Sequence, residues 1–459
     1  MTLVIPGVEV QVVKEVVAPQ LSPSGVLGLV GLTEKVPDAL TPVQSWTSFT
    51  TAFGAASAFS LPEASQAIAN GVYQLVVSPV AASDAVAAAA AVDIPTDGAA
   101  TSAAVHVAAR ARGPWGNSLS VVVAVRTGLD GSKQVDLQVM RGSNEIVETI
   151  RGIPIGVANA DPLDKAIIAR SQVLTATPGA RADAVPAAGK YPLTGGKDAS
   201  ENGYANALGA LENDPDVDMV LVAIQDFSDP KVVASIYSKV ISHCARMSAN
   251  SAGRIGFGQV PPSSASVSAW TSLADNVHSD RFVLLAPNGV AGAVAGMVGG
   301  LEYFQSPTFK TLSGLTDLSR ALTVEEQTQL LTASIVPVAS RRGRGTIVLR
   351  GLTTDGDQIS VRRVADHAVR EVKLIGELFI GRLNNEDGRG ALRQKLTEAL
   401  VQMQRDGALV PSTDGKDPAF KLNVYSSQDD FSKGIVRVDM AVRPVRAIDY
   451  IYATVLVQV

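Results

Sequence analysis

Val217-Asp-Met-Val-Leu-Val-Ala-Ile224 is a run of strand length, continuously apolar but for Asp218, and Asp229-Pro230 just beyond it carries the marks of a helix start. The helix that follows sets Val233, Ile236, Tyr237, Val240 and Ile241 on one face. Residues 255–260 read as a second strand, 264–276 as a helix and 281–286 as a third strand. Strand, helix, strand, helix, strand predicts an α/β layer with parallel pairing.

Toward the N-terminus, residues 26–32 read as a further compact strand. Residues 81–101 are almost all Ala, Val and Asp, a composition shift that marks a boundary. Short strands at 103–109, 119–125, 135–140 and 145–150 come next, separated by turn signals such as Gly113-Pro114, and they predict a small antiparallel β module. A second loose stretch, 176–189, ends it. On the C-terminal side, residues 341–352 lead into a helix in which Val361, Val364, Ala368, Val372, Ile375 and Phe379 recur at helical steps. A second amphipathic helix spans 390–405, with Leu392, Leu396, Leu400 and Met403 on one stripe and Asp406-Gly407 as its stop. Strands at 420–426, 434–442 and 450–459 close the chain, and no solenoid-type repeat is visible.

The chain has 459 residues, a length that favours several domains. Apolar residues make up 46% and charged residues 18%, enough apolar surface to offset the entropy of folding and exclude a disordered chain. With aromatics at 5% and a net charge of −5, neither base stacking nor attraction to a phosphate backbone is indicated. Residues 341–459 hold 19 basic and 15 acidic side chains, whereas the first 340 are net acidic. That asymmetry suits oriented contacts with a partner of matching sign, or ordinary solvated faces. Cys244 is the single cysteine, which suits synthesis in a reducing cytoplasm, and neither a secretory signal nor a membrane span is read.

Little catalytic chemistry emerges. His106, His243, His278 and His367 are scattered without metal-ligand spacing. Cys244 beside His243 reads as a core residue, since adjacent helical positions diverge. Asp214, Asp216 and Asp218 alternate as in a calcium loop, yet the required Gly and distal Glu are missing. Asp226 lies just past the end of a strand, where α/β enzymes place ligands, but without a base, nucleophile or phosphate loop it reads as a turn or cap. The glycines at 292–300 and 341–351 read as turns and tight packing. No catalytic residue, metal or cofactor is assigned.

The two ends carry more information. Residues 450–459 (YIYATVLVQV) are apolar on both faces, and an unpaired strand of that kind is an aggregation template. The first 18 residues, with Val8, Val10 and Val12 on one face, make the same demand. Two such ends suggest strand exchange between subunits.

At this point the sequence resembles the phage contractile-tail sheath family, also found in R-type pyocins and contractile injection systems. Ile5-Pro6-Gly7-Val8-Glu9-Val10 is similar to that family's N-terminal arm, and residues 25–31 (GVLGLVG) with Pro42 to Phe49 and Phe53-Gly54 resemble its first core segment. Arg112-Gly-Pro-Trp-Gly-Asn-Ser-Leu-Ser-Val121 is the most specific match, to the Gly-x-Trp-Gly-Asn-x-Leu run of an inserted β domain. Leu193-Thr-Gly-Gly-Lys-Asp198 resembles the return into the core, and Arg362-Arg363, the helix pair and Gly407-Ala-Leu409 resemble the C-terminal domain. Gly343-Arg344-Gly345-Thr346 stands where that family commonly has a Trp-Gly segment, a departure from its pattern.

The resemblance implies an α/β core with an inserted antiparallel β domain and a C-terminal α+β domain completed by strand exchange between subunits. The expected segments are an arm at 1–20, core at 21–85, insert at 86–190, core again at 191–340, C-terminal domain at 341–446 and an arm strand at 447–459. Exchange would run through Val4, Val8, Val10, Val12, Tyr450, Tyr452, Val455 and Val457, and Arg389, Arg393 and Lys395 are the candidate tube contact. The implied partners are further copies of the chain in stacked rings, a tail tube protein, and baseplate and terminator proteins, with no nucleic acid and no membrane insertion. The implied setting is a virion tail or injection particle assembled in a bacterial cytoplasm. A non-contractile surface-layer or capsid-type protein, and an α/β enzyme with a site near Asp226, are the alternatives.

Overall fold

The computed structural model of the chain describes residues 24–128, 131–156, 161–262 and 266–453. The chain forms two compact units, one comprising Ser24–Val369 and the segment from Pro444, the other Arg370–Arg443.

The larger unit starts with β1 (Val26–Gly31) and β2 (Thr41–Val43), passes through helices α1 (Trp46–Phe53), α2 (Ser57–Ser60) and α3 (Pro62–Ala69), and returns as β3 (Gln74–Pro79). Then come β4 (Ala91–Thr96), β5 (Ala99–Ala109), β6 (Leu119–Thr127), β7 (Lys133–Arg141), β8 (Glu145–Ile155), α4 (Leu163–Arg170), β9 (Leu174–Pro178) and β10 (Gly189–Pro192). The chain re-enters the first sheet through α5 (Glu201–Ala210), β11 (Met219–Val222), α6 (Pro230–Ala249), β12 (Ile255–Gln259), α7 (Val267–Asn276) and β13 (Phe282–Ala286). It finishes that sheet with α8 (Ala291–Gly300), α9 (Val324–Thr332), β14 (Val336–Arg341) and β15 (Gly345–Val348).

The large sheet runs β2-β3-β1-β11-β12-β13-β14-β15, parallel except for the antiparallel edge strands β2 and β15. Its strands are apolar at successive positions because both faces are covered. Leu27, Leu29, Leu75 and Leu221 pack with α1, α3 and α8 on one side. Val26, Val30, Val76 and Val220 pack with α5, α6, α7 and α9 on the other. The helix expected after Asp229-Pro230 is α6: Asp229 accepts from the Lys231 amide, and Val233, Ile236, Tyr237 and Val240 are buried. Residues 341–352, expected to open the C-terminal region, include β15, which doubles back on β14 through Gly343 at φ +78°.

The β insert holds two sheets, β10-β6-β7-β8 and β4-β5-β9, around one apolar cluster. The four strands read from sequence are present, but β5 belongs to a different sheet from β6, β7 and β8. Strands β4, β9 and β10 fall at least partly in stretches read as loose, because Ala- and Thr-rich segments take strand conformation only where a neighbour supplies the ladder.

The glycine cluster at 292–300 is not a turn but helix α8, buried along nearly its whole length. Its glycines let it sit backbone to backbone on α3. A Cβ at Gly292 would lie 2.5 Å from the Glu63 backbone, and one at Gly296 would lie 2.4 Å from Ala67 Cα. Helix α10 (Ile359–Glu377) starts in the larger unit, where Arg281 grips Asp366 at 2.8 and 3.0 Å. Arg363 donates to the Val298 carbonyl at 2.8 Å, satisfying the C-terminal end of α8.

The smaller unit contains the rest of α10, α11 (Glu386–Arg405), β16 (Phe420–Tyr425), α12 (Gln428–Ser432) and β17 (Arg437–Val442). Residues 450–453, part of the stretch 450–459 expected to pair as a strand, have no strand neighbour among the described residues of this single chain. Residues 454–459 and the expected N-terminal arm lie outside the described residues.

Since neither partner backbone in the α3–α8 contact can yield, Gly296→Val is expected to lower unfolding stability by about 1–3 kcal/mol, read by thermal or urea melts.

Candidate functional site

In the smaller unit, β16 and β17 pair antiparallel from Phe420↔Val442 to Tyr425↔Arg437. Leu422, Val424 and Val438 turn toward Ile375, Leu392, Leu396 and Ala399 of the two helices. Arg437 grips Asp430 at 2.7 and 2.8 Å, and together with Ser427 it holds that carboxyl near 2, fixing the turn between the strands. The sheet stops at two strands among the described residues, so the outer edge of each offers unused N–H and C=O groups. An isolated two-stranded sheet is marginal in water, and its helical backing is what holds this one. Beside it lies a groove of about 270 Å3, lined by Val372, Phe379, Leu392, Leu396, Val436 and Val438. Ile380 and Leu383 at its rim are exposed.

Of the strand-exchange candidates, Val4, Val8, Val10, Val12, Val455 and Val457 lie outside the described residues. Tyr450 and Tyr452 are exposed, at 63% and 95%. The three cationic candidates on α11 do not form one patch. Arg389 donates to Asn384 at 3.0 Å, and Arg393 reaches Asn423 and the Val424 carbonyl at 3.3 Å, pinning the helix to β16. Lys395 lies roughly 200° around the helix from Arg393 and pairs with Glu398 at 3.1 Å.

The residues weighed for chemistry serve the fold. Asp218 accepts from the Gly25 and Val26 amides at 2.9 and 2.8 Å, fixing the start of β1. Asp214 accepts from the Asp216 amide at 3.1 Å, and its carbonyl receives Arg254. Among the described residues no cluster of His, Cys, Asp and Glu is arranged to hold a metal ion, and no helix is long and apolar enough to cross a membrane. Burial, then the charge of Arg254, drives His243 down to about 4; the neutral ring meets Arg254 at 2.8 Å. Burial pushes the Cys244 thiol up to about 12, leaving it protonated and inert. His106 pairs with Asp93 across β4 and β5, and His367 stacks on Tyr303 at 3.9 Å.

The strand order of the parallel sheet reverses between β1 and β11, the position where open α/β sheets bind ligands. Here it is filled from within. Asp198 accepts from the Gln225 and Asp226 amides, both at 2.8 Å, and lies 2.6 Å from the Tyr204 hydroxyl. Asp226 itself accepts from the Ser228 amide at 2.9 Å, the turn role its position suggested. Gln225 donates to the Ser60 carbonyl and accepts from the Trp115 amide of the insert. Trp115 stacks on Phe59 with centroids 5.7 Å apart, and Arg112 donates to the Val80 and Ala81 carbonyls. Asn117 exchanges two hydrogen bonds with Gly196. Gly113, at φ +122°, has no room for a Cβ against Gln225. The Arg112–Asn117 turn thus fastens the insert onto the carboxyl ends of β3 and β11, a role the sequence motif alone did not disclose.

Glu63 lies buried near this point with Oε2 lacking a hydrogen-bond partner. Burial, with Asp198 adding to it, pushes its carboxyl from 4.5 up to about 7. A raised carboxyl favours the fold below its unfolded value and loses that contribution as pH climbs to the folded value. Stability is therefore expected to fall by roughly 3 kcal/mol between about pH 4.5 and 7 from this group, and Glu63→Gln should abolish that slope in pH-dependent melts.

Comparison with known proteins fits this architecture. The profile of the phage tail sheath protein central domain matches residues 197–354, and that of the phage tail sheath C-terminal domain matches 353–458, together more than half of the chain. No curated protein sequence matches. Among solved structures, the sheath tail protein of Listeria innocua is similar with a TM-score of 0.54 at 16% identity, over 93% of each chain. The helical sheath of the anti-feeding prophage in its contracted state gives 0.54 at 14%, over 99% of each. The contracted sheath complex of the extracellular contractile injection system PVC gives 0.54 at 12%, over 99% of this chain and 98% of that one. A mixed α/β multidomain fold with an open two-stranded sheet at its C-terminal end, matched by both sheath-domain profiles, places this chain in the phage contractile-tail sheath family.

Proposed function

We propose that the protein polymerises as a helical sleeve of stacked rings around a tail tube and contracts to drive that tube through a target cell envelope. The observation that carries this reading is the mismatch between supply and demand for strands. Residues 370–443 offer a sheet with two open edges, and Tyr450, Ile451 and Tyr452 continue the chain as exposed apolar residues. An arm from a neighbouring copy adding to β16 or β17 satisfies both. Each new hydrogen bond is worth roughly 0.5–1.5 kcal/mol net, so four or five, with buried Val and Ile side chains, outweigh the ordering of an arm. Contact between non-equivalent surfaces of identical chains propagates rather than closing as a dimer.

On this reading residues 1–20 and 447–459 are the exchanged arms, and Val4, Val8, Val10, Val12, Tyr450, Tyr452, Val455 and Val457 carry their inward faces. The sleeve ends on baseplate and terminator proteins, the particle is a phage tail or injection device, and assembly takes place in the bacterial cytoplasm. No cofactor takes part. Of the three cationic candidates on α11, Arg389 and Arg393 share the side of the helix that faces the tube, and Lys395 lies on the opposite side.

Two measurements test the reading. Negative-stain microscopy of the full chain is expected to show hollow tubes or sheath fragments, and of a chain ending at Ile448 only dispersed subunits; tubes from the shortened chain would sink strand exchange. Reversing the charges of Arg393 and Lys395 is expected to impair assembly on tubes while the subunit still melts cooperatively. Undiminished assembly would remove α11 as the tube contact.

A further inference from the structure

The chain leaves β17 at Val442 and is then taken up by the larger unit. Arg446 meets the Asp357 carboxylate at 2.6 and 3.3 Å. The Gln358 side chain accepts from the Ala447 amide at 2.9 Å and donates to the Ala447 carbonyl at 3.0 Å, so one side-chain amide plays the part of a strand neighbour. Asp449 accepts from Arg350 Nε at 2.8 Å and from Gln358 Nε2 at 2.9 Å, with its side chain only 6% exposed. The Arg350 guanidinium also covers the Tyr450 ring, 5.2 Å from its centroid. Immediately beyond, Ile451 and Tyr452 are 83% and 95% exposed.

A chain end that simply lay on the surface would bury its apolar side chains and leave its polar ones in water. Here the order is inverted, with a buried polar hold followed by exposed aromatic and aliphatic residues.

We propose that Arg350, Gln358 and Asp449 form a fixed anchor from which the C-terminal arm departs. Each link between subunits is then rooted in the donor's α/β unit and received by the acceptor's 370–443 unit. The inference rests on the strand-exchange reading above and adds to it the residues that aim the arm. Arg350 follows β15, and Gln358 directly precedes α10. Tension on the arm enters the large sheet and that helix without passing through the β16–β17 pair. Holding the arm's origin also removes part of the ordering entropy that exchange would otherwise cost.

The test compares three full-length or near-full-length proteins: the wild type, Asp449→Ala, and a chain ending at Asp449. Gln358→Ala serves as a second probe of the anchor. Subunits are followed by thermal melts, by trypsin cleavage after Arg446 in the unassembled state, and by polymer yield in sedimentation and microscopy. Asp449→Ala is expected to melt like the wild type, to be cut at Arg446 at least about tenfold faster, and to polymerise about tenfold less, since it loses charge-assisted hydrogen bonds. The chain ending at Asp449 keeps the anchor and is expected not to polymerise. Wild-type cleavage or wild-type polymer yield in both anchor variants overturns the anchor and leaves strand exchange standing. Polymers from the chain ending at Asp449 overturn strand exchange and the anchor with it.

Discussion

A β-strand has two edges, and every backbone N–H and C=O along them must be bonded or wetted. In the large sheet every inner strand meets the requirement with a neighbour on each side. Six parallel strands are flanked by β2 and β15, which turn back antiparallel at the rims, and two layers of helices cover the faces. In residues 370–443 it is met only halfway. The β16–β17 pair has one face against α10 and α11 and, among the described residues, no third strand on either outer edge. The large sheet is covered on both faces, whereas the pair keeps edge groups that further backbone would satisfy.

The same economy shapes the switch point between β1 and β11. Many α/β proteins leave that crevice to a ligand. Here Gln225, Asp198 and the Trp115 turn of the insert spend their hydrogen-bonding capacity on one another. Polar groups at the place where such proteins recognise a ligand here fasten the insert to the core.

On the proposed reading, apolar residues are exposed where a partner strand is received or given, and polar side chains are buried where position has to be held. Ile380 and Leu383 rim the groove beside β17, and Ile451 and Tyr452 lie past the anchor. Arg363, Asp366 and Asp449, by contrast, are withdrawn from solvent into directed hydrogen bonds. Directional bonds fix geometry, and non-directional apolar surface supplies the drive to associate.

Much of this was legible in the sequence because it is periodic. The run at 217–224, the face of α6, the stripe of α11 and the alternation of β16 and β17 are local patterns that burial imposes directly, and they appear where their spacing puts them. The family resemblance could be read for the same reason: Gly113, Trp115, Gly116 and Asn117 form a fixed short motif. What tertiary structure alone decided was non-local. Ala-rich β4 became a strand because β5 lay beside it, and the glycines of α8 became a helix contact because α3 came within a Cβ of them. Residues 345–348 became strand β15 because β14 lay beside them. The polar hold on Asp449 joins residues about a hundred positions apart, at a separation where sequence carries no periodic signal and only the fold brings the groups together.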